Sequence, residues 1–329
     1  MQDATTRLPR LIGTVRRLVL ASLLTCASHI KYTSHVFNIL LMYRSSVMDT
    51  SGTHQSTASL WDGVAIGWSR FAAEIEGIES DLTSRIRSAA EPLNGHTVLE
   101  LGSGTGELAA QFADWVGPDG TVTASDVAPS MNEVQRARLA DVLNARVAAD
   151  VDVHELPFVA HSFDTVVFRM GLMMASDPDR ALREIHRVLR PGGRFVTAVW
   201  GPFTENPWLT TVGMGAMSLG LVCGGPPINP GEPFSLPDPH DLRGRFTDAG
   251  FVDIDVQTLS ATRHYRDTDQ HITMALSLAP PLAAAYRAMS SAQETALRAT
   301  VAGLTEQYRD GHGALDLPMS AHVALGTRA

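Results

Sequence analysis

The sequence predicts an α/β protein built on a doubly wound, mostly parallel sheet with helical insertions. Two observations carry this prediction: short apolar runs separated mostly by helical patterns, and a glycine-rich stretch directly after the first run. Apolar runs that alternate with helical segments favour parallel strands joined by right-handed crossovers. The 329 residues, of which 44% are apolar, are enough to bury a full-sized core.

Seven segments are typical of strands. The first five are buried runs at 97–101, 121–125, 145–149, 165–168 and 194–200, and two further strands are predicted at 251–259 and 321–327. Pro191-Gly192-Gly193 follows a predicted helix over 179–190 and turns the chain into the fifth strand.

Helical patterns surround these strands. Apolar residues recur at helical spacing over 69–90, which predicts one amphipathic helix ahead of the sheet. The Gly/Pro-rich segment 201–237 predicts a flap with one short helix near 208–221. Asp238 is the predicted N-cap of a helix that ends at Gly250, and helical patterning returns over 267–307.

The first 47 residues differ from the rest of the chain. They carry six cations, including the only lysine, against one acid. Three interpretations stay open: sequence upstream of a start at Met42 or Met48, which we favour, a disordered extension, or a targeting peptide. The apolar run 18–24 is far shorter than the roughly 20 residues that span a bilayer, so we expect no stable membrane insertion.

The charge balance narrows the classes of partner. Residues 48–329 carry 20 cations and 34 acids. Because such a surface repels phosphate backbones, we expect no nucleic-acid partner. Cys26 and Cys223 lie far apart without ligand-like spacing, which indicates neither a disulfide framework nor a metal site and fits a cytoplasmic protein.

The glycine-rich stretch predicts a nucleoside site. Gly102, Gly104 and Gly106 follow the first strand, and Asp126 ends the second strand about 20 residues later. A dinucleotide fingerprint requires a small residue where Glu107 stands, and no lysine follows as in a phosphate-binding P-loop. The glycines instead allow a ligand to approach the backbone closely.

Five short motifs follow one another within residues 61–259. They are Glu100 to Gly106, Asp126 with Ala128-Pro129-Ser130-Met131, Asp152-Val153-His154-Glu155-Leu156-Pro157-Phe158, Ser162-Phe163-Asp164, and Arg183 to Gly193. In this order they resemble the class I S-adenosylmethionine (SAM) dependent methyltransferases, in the ubiquinone/menaquinone C-methyltransferase-like group (methyltransferase type 11). The resemblance implies a Rossmann-like seven-stranded sheet with an antiparallel last strand, SAM as cofactor, and methyl transfer to a small molecule.

The resemblance also implies a set of cofactor-binding residues. They are Glu100, Gly102, Ser103, Gly104, Thr105, Gly106, Asp126, Val127, Met131, Asp152, Val153 and Arg169. Asp126 would accept both ribose hydroxyls, and Asp152 would accept the adenine amino group while the Val153 N–H meets a ring nitrogen. Met131 would cover the adenine face, although a core methionine is an equal interpretation.

At the other end of the cofactor, the glycine amides and Thr105 would hold the methionine moiety. Glu100 would reach its ammonium group through a loop amide or a water molecule. Arg169 stands where the family has a small residue, so whether its backbone or its guanidinium acts stays open.

Acceptor recognition is expected outside the sheet. Trp61 and Trp68 resemble the family's N-terminal aromatic segment that closes over SAM. A second aromatic and methionine set is either an apolar acceptor pocket or a packed lid core: Trp200, Phe203, Trp208, Met214 and Met217. His154, His161 and His264 are candidate bases, but a histidine of this kind is more often a surface residue, so no catalytic residue is assigned.

Five regions follow from these features. They are 1–47, a helical segment over 48–90, a SAM-binding core over 91–200, a lid over 201–237, and 238–329 with a helical insertion at about 265–310. The predicted function is a SAM-dependent methyltransferase acting on a small apolar or aromatic metabolite. Two alternatives stay open: an NAD(P)-dependent oxidoreductase and a SAM-binding protein without turnover.

Overall fold

The computed structural model describes residues 57–329. The predictions made for residues 1–47 therefore lie outside the described residues. Within the described part of the chain, no helix has both the length and the apolar character needed to cross a bilayer.

Residues 57–329 form twelve α-helices and seven β-strands. The first half contains α1 (Thr57–Asp62), α2 (Ala65–Arg70), α3 (Ala72–Ile78), α4 (Ser80–Ala90), β1 (Thr97–Glu100), α5 (Glu107–Val116), β2 (Thr121–Asp126), α6 (Pro129–Arg138), β3 (Ala145–Ala149) and β4 (Phe163–Arg169). The second half contains α7 (Pro178–Val188), β5 (Leu189–Trp200), α8 (Pro207–Ser218), α9 (Pro239–Asp248), β6 (Phe251–Tyr265), α10 (Thr268–Leu278), α11 (Pro280–Ala288), α12 (Ser291–Thr305) and β7 (Leu315–Arg328).

The strands form one sheet in the order β3-β2-β1-β4-β5-β7-β6. Strands β1 to β5 pair in parallel, whereas β7 runs antiparallel to both β5 and β6. The predicted seven-stranded, mostly parallel sheet with an antiparallel last strand is confirmed. Strand order reverses between β1 and β4, and open α/β sheets bind ligands in the crevice at such a reversal.

The prediction of a single helix over 69–90 was wrong in that the helical segment is interrupted twice. The segment forms parts of three helices, α2 to α4, which are interrupted at Phe71 and Glu79. The N–H of Glu79 still bonds the Ile75 carbonyl at 2.8 Å, so the chain bends there rather than unwinding. The bend turns the Glu79 side chain into the protein, where it pairs with Arg263 at 2.7 Å.

The helical insertion between β6 and β7 is divided by local signals. Pro280 opens α11 at a position where its missing N–H removes no helical hydrogen bond. Ser290 caps α12 in a capping box with Gln293. Three short helices rather than one long one therefore lie over the sheet end.

An aromatic cluster joins α9 to the sheet. The Phe195 ring on β5 stacks on Phe246 of α9 with centroids 5.2 Å apart and lies 5.8 Å from Phe251 at the start of β6. Phe195 and Phe246 are fully buried, so this contact excludes water from the junction between helix and sheet.

Phe195→Ala should lower the free energy of unfolding by about 3–5 kcal/mol, because it removes a buried ring and leaves a cavity beside Phe246. Leu143 is fully exposed, so Leu143→Ala should change stability by no more than about 0.5 kcal/mol. Urea unfolding followed by circular dichroism measures both. Equal stability of the two variants would contradict this assignment of the core.

Candidate functional site

A cavity of about 510 Å³ lies at the carboxyl ends of the parallel strands. Each of β1 to β5 ends at a segment that lines it: 100–105, 126–127, 151–154, 168–176 and Trp200. Residues of α1 to α3, α5, α6, α8, α10 and β6 contribute most of the remaining wall. The cavity thus occupies the crevice that the strand order predicts.

The predicted cofactor residues converge on this cavity with one exception. Eleven of them line it, namely Glu100, Gly102, Ser103, Gly104, Thr105, Asp126, Val127, Met131, Asp152, Val153 and Arg169. Gly106 does not line the cavity and instead forms the N-cap of α5 at φ 88°. A Cβ atom at Gly106 would lie 3.4 Å from the Gln135 side chain, so this glycine serves the packing of the loop against α6.

Asp126 is held in a fixed orientation at the end of β2. Its Oδ2 accepts the Gly104 N–H at 3.0 Å, and its Oδ1 accepts the Ala128 N–H at 2.9 Å. Burial raises the pKa of Asp126 to about 6, although these backbone donors oppose the rise. The carboxylate is therefore positioned at the cavity wall before any ligand arrives.

The glycine loop is supported from behind by α6. Gln135 Nε2 donates to the Gly104 carbonyl at 2.8 Å, and Arg138 Nε donates to the Thr105 carbonyl at 2.8 Å. Gly102 and Gly104 have φ values of 56° and 57°, which L side chains rarely adopt. A Cβ at Gly102 would lie 2.8 Å from the Phe168 ring, whereas a Cβ at Gly104 would meet no atom within 4 Å. Open space at Gly104 leaves room for a ligand against the backbone.

Glu100 ends β1 with an unsatisfied side chain. The residue is 2% exposed, and its Oε2 atom is buried without a hydrogen-bond partner. Burial raises the pKa of Glu100 to about 8, with the Arg169 charge opposing the rise. The Arg169 guanidinium itself donates to Glu76 at 2.5 Å and lies 3.7 Å from Glu79. Glu100 thus retains a buried acceptor atom that a positively charged group would satisfy.

The three candidate bases differ in position. His154 lines the cavity, but its Nδ1 is 2.6 Å from an Asp152 oxygen and its Nε2 accepts the Asp177 N–H at 3.2 Å. Both ring nitrogens of His154 are therefore engaged. His161 and His264 do not line the cavity, and His264 pairs with an exposed aspartate. None of the three presents a free proton acceptor to the cavity.

The aromatic residues predicted around the acceptor are only partly brought together. Trp61, Trp68, Trp200 and Trp208 line the cavity, and the rings of Trp200 and Trp208 lie 5.0 Å apart at their centroids. Three predicted residues lie outside the lining: Phe203, Met214 and Met217. The helix α8 that carries the two methionines buries Val212 and Ala216 against Leu297 and Val301 of α12, whereas Met214 and Met217 are half-buried.

Arg263, Tyr265 and His271 are among the lining residues that the sequence analysis did not predict. Strand β6 continues to Tyr265 rather than ending at 259, and Arg263 and Tyr265 alternate inward at about 4% exposure each. On α10, lining residues recur at the spacing of one helix face, from His271 through Met274 and Ala275 to Leu278. Both periodicities are visible in the sequence and indicate which residues share a face, but not that this face lines the cavity.

The cavity is electronegative. Its charged lining groups are six carboxylates and two guanidinium groups: Glu76, Glu79, Glu100, Glu107, Asp126, Asp152, Arg169 and Arg263. Such a wall favours a cationic ligand and opposes a pyrophosphate.

Comparison with known proteins gives one consistent family. A family model described as a methyltransferase domain matches residues 99–197. The ubiquinone/menaquinone biosynthesis C-methyltransferase UbiE of Pseudomonas putida (strain W619) is 31% identical over 194 residues, which cover 56% of this chain and 70% of that protein. The UbiE protein of Cellvibrio japonicus is 31% identical over 206 residues, covering 59% of this chain and 76% of that protein.

Solved structures show the same fold. The YcgJ protein of Bacillus subtilis matches with a TM-score of 0.51 at 18% identity, covering 76% of this chain and 98% of that chain. The phosphoethanolamine N-methyltransferase 2 of Haemonchus contortus, solved with phosphomonomethylethanolamine and S-adenosylhomocysteine, matches with a TM-score of 0.51 at 18% identity, covering 84% of this chain and 59% of that chain.

Family and fold agree on SAM as the cofactor and on methyl transfer as the reaction class. The chain belongs to the class I SAM-dependent methyltransferases, in the ubiquinone/menaquinone C-methyltransferase-like group.

Proposed function

We propose that the protein transfers a methyl group from SAM to a small, apolar or aromatic metabolite. One observation carries the proposal: a single cavity joins an electronegative glycine-loop end to an aromatic end walled by Trp200 and Trp208. Small-molecule sites are typically apolar with a few placed polar groups, and the aromatic end fits that description.

The glycine-loop end has the groups that SAM requires. Glu100 offers a buried oxygen without a partner, which suits the ammonium group of the methionine moiety. Gly104 leaves open space beside its backbone, and Asp126 presents a fixed carboxylate to ribose hydroxyls. SAM carries a net positive charge when bound, which the surrounding carboxylates stabilise. NADH, with its pyrophosphate, would be repelled by the same groups.

The adenine would lie between Met131 and the loop after β3. Met131 is 2% exposed and lines the cavity, so its polarisable thioether is available to a flat ring. Asp152 is placed by the His154 backbone N–H at 2.8 Å, and we assign the adenine amino group to this carboxylate. Val153 would supply the backbone donor for a ring nitrogen.

The protein itself contributes to the reaction by orienting the two reactants and by excluding water. SAM supplies an activated methyl group on its sulfonium sulfur. Correct orientation of two reactants contributes about 7–11 kcal/mol to lowering a barrier, so a dedicated base is not required. Trp61 and Trp68 pack edge to face with centroids 6.2 Å apart and close the cavity from the N-terminal side.

We assign residues 91–200 to the cofactor-binding core and residues 201–237 with the helices of 265–310 to the acceptor lid. We also infer a cytoplasmic location. Cys223 is an exposed free thiol, which a reducing compartment preserves.

Asp126→Asn should weaken SAM binding by about 100-fold or more, because it removes the charge from two hydrogen bonds to ribose, each contributing about 1.5–3 kcal/mol. Isothermal titration calorimetry with SAM and S-adenosylhomocysteine measures the loss. Asp119→Asn, an exposed position outside the cavity, is the matched control and should bind as the wild type does. A folded wild-type protein that binds neither ligand would overturn the assignment of this cavity.

Gly104→Ala should bind SAM at least about tenfold more weakly, since the new methyl group would occupy the space assigned to the ligand. Gly192→Ala is the matched control, because Gly192 also has a positive φ of 78° and open space around it but lies outside the cavity. Both variants should lose about 1–2 kcal/mol of stability from backbone strain. Equal SAM affinity in the two variants would place the cofactor elsewhere.

SAM binding near neutral pH should release a proton from Glu100. The pKa of Glu100 is about 8 without ligand, so the carboxyl is mostly protonated at pH 7. A bound ammonium group lowers that pKa and drives ionisation, and the contribution of Glu100 to affinity therefore rises as pH increases towards 8.

Calorimetry at pH 7 in buffers of different ionisation enthalpy counts the protons. Wild type should release close to one proton (~0.9) more than Glu100→Gln. The comparison cancels the titration of SAM itself. Equal proton release by the two proteins would contradict the assignment of Glu100 as the partner of the SAM ammonium group.

A further inference from the structure

His271 places a buried imidazole at the acceptor end of the cavity. The residue lies on α10 and is 1% exposed, yet it lines the cavity together with Tyr265 and Trp208. Its Nε2 atom is 2.9 Å from Thr211 Oγ1 on α8. The contact ties the lid helix α10 to the helix that follows β5.

The partner of Thr211 settles which nitrogen of His271 carries the proton. A hydroxyl group has one hydrogen to donate, and Thr211 Oγ1 donates it to the Pro207 carbonyl at 2.8 Å. Thr211 can therefore only accept from His271, so Nε2 holds the proton. Nδ1 is left with its lone pair.

Nδ1 is an unsatisfied acceptor. It is buried and has no hydrogen-bond partner in the structure. Burial, assisted by the positive charge of Arg263, lowers the pKa of His271 to about 4, so the ring is neutral at physiological pH. A buried acceptor without a partner is destabilising, and a donor on a bound ligand would relieve that cost.

The surroundings select the kind of donor. Two groups with ionisable or charged side chains face His271: the Tyr265 ring, 4.8 Å away, and the Arg263 guanidinium, which stacks 3.5 Å from the Trp208 centroid. Arg263 repels an ammonium donor, and the Nδ1 lone pair repels a carboxylate. The aromatic and methionine side chains nearby favour an apolar body.

We propose that His271 Nδ1 accepts a hydrogen bond from a neutral hydroxyl group on the methyl acceptor, and thereby selects hydroxylated apolar or aromatic compounds. The proposal rests on the proposed function, because it concerns the acceptor end of the same cavity. His271 is a specificity-determining residue in this scheme. Its neutral ring positions the acceptor and is not required to remove a proton.

Two probes that share a naphthalene ring and an oxygen substituent, one with and one without a hydrogen-bond donor, test the proposal. 2-Naphthol carries a hydroxyl group, and 2-methoxynaphthalene has the same ring without a donor. In the presence of saturating S-adenosylhomocysteine, the wild-type protein should bind 2-naphthol about tenfold more tightly, as measured by calorimetry.

Two amide variants distinguish the role of Nδ1 from that of Nε2. The His271→Gln amide reaches the position of Nε2 and keeps the Thr211 contact, but it removes the acceptor at Nδ1, so the preference for 2-naphthol should vanish. The shorter His271→Asn amide lies near Nδ1 and should keep part of that preference. His264→Gln, at an exposed site outside the cavity, is the control and should behave as the wild type does.

A readout without any acceptor completes the test. Nitrogen-15 spectra of the histidine rings should show His271 as the neutral Nε2–H form between pH 5 and 8, about one pH unit or more above its pKa. A protonated Nδ1, equal affinity for the two probes, or binding of neither would overturn the proposal. Absence of S-adenosylhomocysteine binding, measured first, would instead overturn the proposed function, so the two failures are distinguishable.

Discussion

A buried network of two arginines and two glutamates holds the N-terminal helices against the sheet. Arg169 of β4 reaches Glu76 of α3, and Arg263 of β6 reaches Glu79 at 2.7 Å. Arg263 and Glu79 are only 4% and 7% exposed, so each charge depends on the other for its stability in the interior. These pairs tie the junction of α3 and α4 to β4 and β6 at the wall of the cavity.

The same network distinguishes the paired charged groups of the cavity from the carboxyl groups that have no ion pair. Arg169 and Arg263 pair with Glu76 and Glu79, which leaves Glu100 and Asp126 as the buried carboxyl groups at the glycine loop without an ion pair of their own. The pKa values of both are raised because they are buried without a countercharge of their own. On the proposed function, a bound cationic group would lower the pKa of Glu100 and favour its ionised form.

The sheet and the convergence of the glycine loop with the strand-end acids on one cavity were predictable from local patterns, because glycine spacing, strand-end acids and apolar runs are continuous in the sequence. The acceptor end was not. Arg263 is more than 180 residues from Glu79 in the chain, and the hydrogen bond between His271 and Thr211 joins residues 60 positions apart. Such pairs depend on how helices dock, which no local period encodes. The prediction that Met214 and Met217 line the acceptor pocket was wrong for the same reason, because an apolar pattern does not specify which part of the protein each side chain contacts.

Strands β6 and β7 extend past the rest of the sheet. Beyond Leu259 and Ala321, the segment from Ser260 to Tyr265 pairs with 315–320 and, among residues 57–329, with no third strand. Arg263 and Tyr265 therefore stand on a two-stranded arm, while the glycine loop stands on the five parallel strands. On the proposed function, substitutions on the arm other than at Arg263, which pairs with Glu79, would reshape the acceptor end of the cavity and leave the glycine loop in place. The acceptor end could then change between related proteins while the cofactor end is kept.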